Sequence, residues 1–90
     1  MNKQRRKNID EVITRIEILM EQLEGIKEDV ELIQEEEQNY LDNIPENLWG
    51  SERYEKAEEA VNNLEEATDL IDEAMSSLDE TRSRLEDATA

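Results

Sequence analysis

The chain has 90 residues, with 26 acids against 10 bases, a net charge of -16, and neither cysteine nor histidine. That inventory excludes a disulfide framework, zinc sites and Cys or His nucleophiles. The negative balance also disfavours nucleic acid as a direct ligand, because phosphates would be repelled.

Aromatic residues are 3% of the chain and phenylalanine is absent, so apolar residues are expected to form stripes rather than a globular core. Acidic, aromatic-poor composition can mean disorder, but an unbroken apolar register argues against that here. No apolar run approaches the length of a membrane span. The basic opening is followed by mixed charged sequence where a signal peptide would have its apolar stretch. A cytoplasmic protein with no membrane partner is expected.

The first element is a helix over about 4–43. Ile9, Val12, Ile16, Leu19, Leu23, Ile26, Val30, Ile33, Glu37, Tyr40 and Ile44 are spaced alternately three and four apart. This is the seam of a packed helix with one polar interruption at Glu37. Asn8 and Glu11 have capping-box spacing, which predicts regular helix from near Ile9 and a frayed basic arm of Lys3, Arg5, Arg6 and Lys7 before it. Gly25 falls off the seam, so the helix is expected to pass through it.

A break follows at 44–51. Pro45 disfavours helical backbone at Ile44. Gly50 suits a C-cap and Ser51 an N-cap, leaving room for a short helical turn around Pro45–Trp49. Tyr40, Ile44, Leu48, Trp49 and Tyr54 gather most of the aromatic area at this point, as a cap on the hairpin end or as a binding hot spot.

The second helix is expected over about 52–88. From Ala57 it repeats a seven-residue phrase: AEEAVNN, LEEATDL, IDEAMSS, LDETRSR, LEDATA. Seven residues is close to two helical turns, so each element of the phrase returns to one side. Ala57, Leu64, Ile71, Leu78 and Leu85 form a seam with Ala60, Ala67, Ala74, Thr81 and Ala88 beside it. A short link between two matched amphipathic helices predicts an all-α, antiparallel αα-hairpin comprising residues 1–90 as one domain. Ile13, Met20 and Leu41 flank the seam of the first helix, and Val61 and Met75 that of the second. A stripe wider than two helices need marks a bundle, so these five are expected to form a homodimer interface in a four-helix bundle.

Glu17, Glu21, Glu24, Glu28, Glu31 and Glu35 form an outward stripe on the first helix, with carboxylates about 5 Å apart along the axis. Glu58, Glu59, Glu65, Glu66, Asp72 and Glu73 form a double rail on the second. Between Glu17 and Glu80 there are 22 acids and 3 bases, about half the linear charge density of duplex DNA when spread along such a helix. These twelve carboxylates are the expected contact for a basic protein surface. The plain alternative is a set of solvated helix faces that keep a coiled-coil adaptor soluble. In the same hairpin Lys3, Arg5, Arg6, Lys7 and Arg15 would lie near Arg82 and Arg84 and offset Glu86 and Asp87. Adjacent carboxylates on a helix diverge by about 100° and do not converge on one ion. No metal, cofactor or enzymatic activity is therefore expected.

Two stretches carry a resemblance: Tyr40-Leu-Asp-Asn-Ile-Pro-Glu-Asn-Leu-Trp-Gly-Ser-Glu-Arg-Tyr54, and the Leu-Glu-Glu-Ala phrase that follows it. With the basic opening Asn2-Lys-Gln-Arg-Arg-Lys7, they make the chain similar to short acidic proteins of unassigned function from phages and prophages of Gram-positive bacteria. The resemblance implies a helical hairpin and a phage-related setting inside a bacterial host cell. It implies no catalytic or binding residues.

Overall fold

The structure, a computed structural model, describes residues 1–90. Two long helices contact each other as a hairpin and there is no strand. Helix α1 spans Lys3–Asp42 and helix α2 spans Glu52–Thr89, with a 3₁₀ turn at Glu46–Leu48 between them. Two compact units can be distinguished: a terminal unit of residues 1–25 and 71–90, and a turn unit of residues 26–70.

Helix α1 starts earlier than its capping-box spacing suggests. Asn2 is the cap: its Oδ1 accepts the Arg5 backbone N–H at 2.8 Å, and its carbonyl accepts that of Arg6 at 3.2 Å. The Asn8 side chain instead accepts a hydrogen bond from Gln4 Nε2 at 3.0 Å. The basic arm is therefore helical rather than frayed. The physical reason is that Asn2 caps as well as Asn8 does, and Lys, Arg and Gln are all good helix formers.

The connection is tied by its own backbone and by one aromatic. Leu48 N–H donates to Pro45 O at 2.9 Å, and Trp49 N–H to Glu46 O at 3.1 Å. Gly50 has φ of +88°, a region that side chains with a Cβ enter only at a cost. Ser51 Oγ then accepts the Tyr54 N–H at 3.2 Å as the N-cap of α2. Gly50→Ala is expected to lower the stability of the hairpin by about 1 kcal/mol, read as a lower urea midpoint with an unchanged slope. A Cβ at Gly50 would meet open space, so backbone strain alone supplies this cost.

Packing in each unit follows one shared rule. In the turn unit, α1 contributes Lys27, Val30, Gln34, Glu37 and Leu41 to the contact, and α2 contributes Tyr54, Ala57, Val61, Leu64 and Thr68. In the terminal unit the contributors are Ile9, Ile13, Ile16, Met20 and Leu23 with Ile71, Met75, Leu78, Arg82 and Leu85. All are buried or half-buried. The columns Ile9-Ile16-Leu23-Val30-Glu37 and Ala57-Leu64-Ile71-Leu78-Leu85 lie in the contact as the sequence predicts. Their companions differ. Val12, Leu19, Ile26, Ile33 and Tyr40 are 40% to 52% exposed, and Ala74, Thr81 and Ala88 are exposed too, while Ala60 and Ala67 of the same column are half-buried.

The companions on α1 are instead Ile13, Met20, Lys27, Gln34 and Leu41. On α2 they are Tyr54, Val61, Thr68, Met75 and Arg82. The reason is geometric. In an antiparallel pair, corresponding columns of the two repeats fall on the same side, so the two helices choose a side together. On α2 the chosen side takes in Tyr54, Val61 and Met75, where the other side offers alanines and a threonine. On α1 the same choice takes in Lys27 and Gln34 and leaves Ile26 and Ile33 half in solvent, so the gain is on α2. Larger apolar side chains release more free energy on burial.

Candidate interaction surface

The residues expected to bind a partner are all exposed. In the turn unit these are Glu28, Glu31, Glu35, Glu58, Glu59, Glu65 and Glu66. In the terminal unit they are Glu17, Glu21, Glu24, Asp72 and Glu73. Successive residues turn by about 100° around the axis, which fixes where each column lies relative to the buried contact.

In the turn unit, Glu31 adjoins the edge of α1 that carries Lys27, Gln34 and Leu41. Glu58 and Glu65 adjoin the matching edge of α2, beside Tyr54, Val61 and Thr68. Glu28 and Glu35 follow one column further round α1, and Glu59 and Glu66 point away from α1. Acids from both helices thus flank one side of the contact. Lys27 meets this side, with Nζ 3.8 Å from Glu31 Oε1.

Charge is not shared evenly. The turn unit holds 15 acids against 3 bases, a balance of -12, and the terminal unit 11 against 7, a balance of -4. The acidic surface is therefore densest in the turn unit. Basic residues concentrate in the terminal unit, where Arg82 pairs with Asp79 and lies 4.0 Å from Glu86. Arg82, rather than the basic arm of α1, is the cation that stands beside Glu86.

The five residues expected at a dimer interface lie within the hairpin. Ile13 and Val61 are buried, at 9% and 7% exposure. Met20, Leu41 and Met75 are half-buried in the same contacts. Their physical role is to close each helix pair, because they occupy the companion columns described above.

The turn residues separate into two groups. Ile44 is buried at 5% exposure, and its carbonyl accepts the Trp49 Nε1–H at 3.1 Å. The Trp49 and Tyr54 rings lie 5.9 Å apart at 34°. Trp49 nonetheless remains 57% exposed and Leu48 41% exposed. Tyr40 stands apart from this group: the Arg53 guanidinium lies 5.2 Å from its ring centroid, and Arg53 Nε donates to its hydroxyl. This contact matters because it joins the exposed columns of the two helices on one face, opposite the acids. The sequence carried a signal for it, since Arg53 lies one heptad before Ala60.

No group of three or more carboxylates is placed to hold a metal ion, and no helix is long and apolar enough to cross a membrane. Comparison with protein-family models, with curated proteins and with solved structures found no match for this chain.

Proposed function

We propose that the chain is a non-enzymatic, acidic protein–protein interaction module. Its acidic columns occupy a basic nucleic-acid-binding surface on a host defence or replication protein, in the manner of a DNA mimic. The setting is the cytoplasm of a bacterial host and the origin a phage. The observation that carries this reading is the placement of Glu28, Glu31, Glu35, Glu58 and Glu65 along one side of a unit whose balance is -12. Fixed carboxylates on helices present charge without the entropy cost of ordering a flexible acidic tail. A basic groove that accepts phosphates also accepts such an array through the same long-range attraction.

The test is capture from a bacterial lysate on the immobilised full chain at low and high salt. Charge-driven partners are expected to elute as salt rises, because screening shortens the reach of exposed charges. Partners held equally at both salt concentrations would overturn the reading.

A second reading is favoured by a different observation. The apolar column Val12, Leu19, Ile26, Ile33 and Tyr40 is exposed, which suits a coiled-coil adaptor held by apolar contact. Reversing charges on the acidic columns would then leave binding nearly unchanged.

A further inference from the structure

The face opposite the acids has a chemistry unlike the rest of the turn unit. Ile26, Ile33 and Tyr40 of α1 stand on it at 49%, 52% and 40% exposure. Ala60 and Ala67 of α2, half-buried in the hairpin, border it, and Arg53 over the Tyr40 ring links the two helices there. The flanking columns are Asp29 and Glu36 on α1, and Lys56, Asn63 and Leu70 on α2. Leu70 is 63% exposed. Charged residues on this face number two acids, Asp29 and Glu36, and two bases, Arg53 and Lys56. The remaining surface of the unit carries 13 acids and Lys27. This is the neutral, apolar face of a strongly acidic unit.

We propose that a second copy of this chain docks on this face of the turn unit. A two-fold axis along the helices then lays the large column of each α1 on the alanine column of the partner's α2. Three observations select a second copy.

Charge is the first. The turn units of two copies, each at -12, repel one another on their other sides, whereas on this face the balance is zero. Size is the second. Ile26, Ile33 and Tyr40 need depth, and Ala60 and Ala67 leave room for helices to approach closely.

Register is the third. Antiparallel helices bring flanking columns together across the contact. The alignment that sets Asp29 against the partner's Asn63 also sets Glu36 against the partner's Lys56. Lys56 at present meets only Glu52 of its own helix, at 3.0 Å on the open surface, an i,i+4 pair that contributes little.

The surface area agrees. The chain exposes 6778 Å², about 1,300 Å² above the roughly 5,500 Å² typical of a folded monomer of its mass. A standard interface covers about 800 Å² per partner. The proposal is independent of the reading of the acidic columns, which lie on the other side and stay open in the dimer.

Sedimentation equilibrium of the full chain tests it, with far-ultraviolet circular dichroism as the folding control. The native chain is expected to dimerise. Ile33→Gln is expected to raise the dimer dissociation constant about tenfold or more while helix content holds, because Ile33 is half in solvent within the hairpin. Glu36→Lys and Lys56→Glu are each expected to weaken the dimer, and the two together to restore it. This charge swap needs no apolar substitution, so it stands even if Ile33→Gln perturbs the helices. A native chain that stays monomeric at about 100 μM, far above the concentrations at which specific complexes form, would overturn the proposal. So would a dimer indifferent to Ile33→Gln. A double swap that fails to restore association would also overturn it.

Discussion

Val61→Asp is expected to unfold much of the hairpin, while Val12→Asp leaves it nearly intact. Both changes remove the same side chain and add the same charge. Only their surroundings differ. Val61 is 7% exposed, between Ala57, Leu64 and the companion column of α1, and Val12 is 41% exposed. Burying valine contributes about 1.5–3 kcal/mol, and a carboxylate in its place adds a desolvation cost that the neighbouring side chains do not offset. The total loss at position 61 is about 3 kcal/mol or more. Val61 is one of four buried apolar residues, with Ile13, Ile44 and Ala57, and a folded domain has only about 5–15 kcal/mol in hand, so that loss consumes much of the stability. At position 12 the cost is about 0.5 kcal/mol, typical of a surface change, and an aspartate there sits three residues before Arg15, where helical pairs attract. Urea unfolding followed by circular dichroism at equal, dilute concentration separates the two. Equal midpoints, or greater loss at position 12, would restore the column pattern suggested by apolar spacing alone.

Fourfold charge reversal in the turn unit is the second large effect. Changing Glu28, Glu31, Glu58 and Glu65 to lysine moves the unit from -12 to -4, because each reversal alters the balance by two. An exposed ion pair contributes up to about 1 kcal/mol. Four lost contacts, together with the repulsion that replaces them, amount to about 3 kcal/mol, a hundredfold loss in affinity. The same protein captured at low salt by the native chain is therefore expected to be absent from the reversed variant. Folding is not the cause of that loss. Lysine and glutamate have similar helix propensities, and easing self-repulsion stabilises the compact state. Circular dichroism of the variant checks the point. Undiminished capture by the reversed chain would end the DNA-mimic reading and leave the apolar adaptor.

The two predictions test different layers of the molecule: Val61 is buried between the helices, whereas the four carboxylates stand exposed on the surface. Charges on the acidic side act at a distance and are weakened by salt. Apolar columns act at contact and respond to volume and burial. A chain that lost partner capture on charge reversal but kept its self-association would have both surfaces working separately.

Much of this protein is legible along the chain. Alternating three- and four-residue spacing names both helices, Pro45 ends the first, and Gly50 with Ser51 starts the second, because each of these is a local property of backbone and side chain. The acidic columns follow from the seven-residue phrase for the same reason: a helix returns each position to its own side. The N-terminal cap shows where local reading stops, since Asn2 and Asn8 are equally good caps and helix propensity through Lys3–Lys7 decides between them.

What the linear pattern leaves open is which side of each apolar stripe turns inward. Three neighbouring columns on α1 carry apolar residues, interrupted at Lys27, Gln34 and Glu37, and two of them fit between the helices of a hairpin. Spacing measures the width of that stripe and is blind to its sense of rotation. Antiparallel pairing forces both helices to the same side at once: α2 gains Tyr54, Val61 and Met75 over its alanine column, and α1 takes in Lys27 and Gln34 with them. Only the folded pair therefore assigns Ile13, Met20, Leu41, Val61 and Met75 to the interior and leaves Val12, Leu19, Ile26, Ile33 and Tyr40 facing outward.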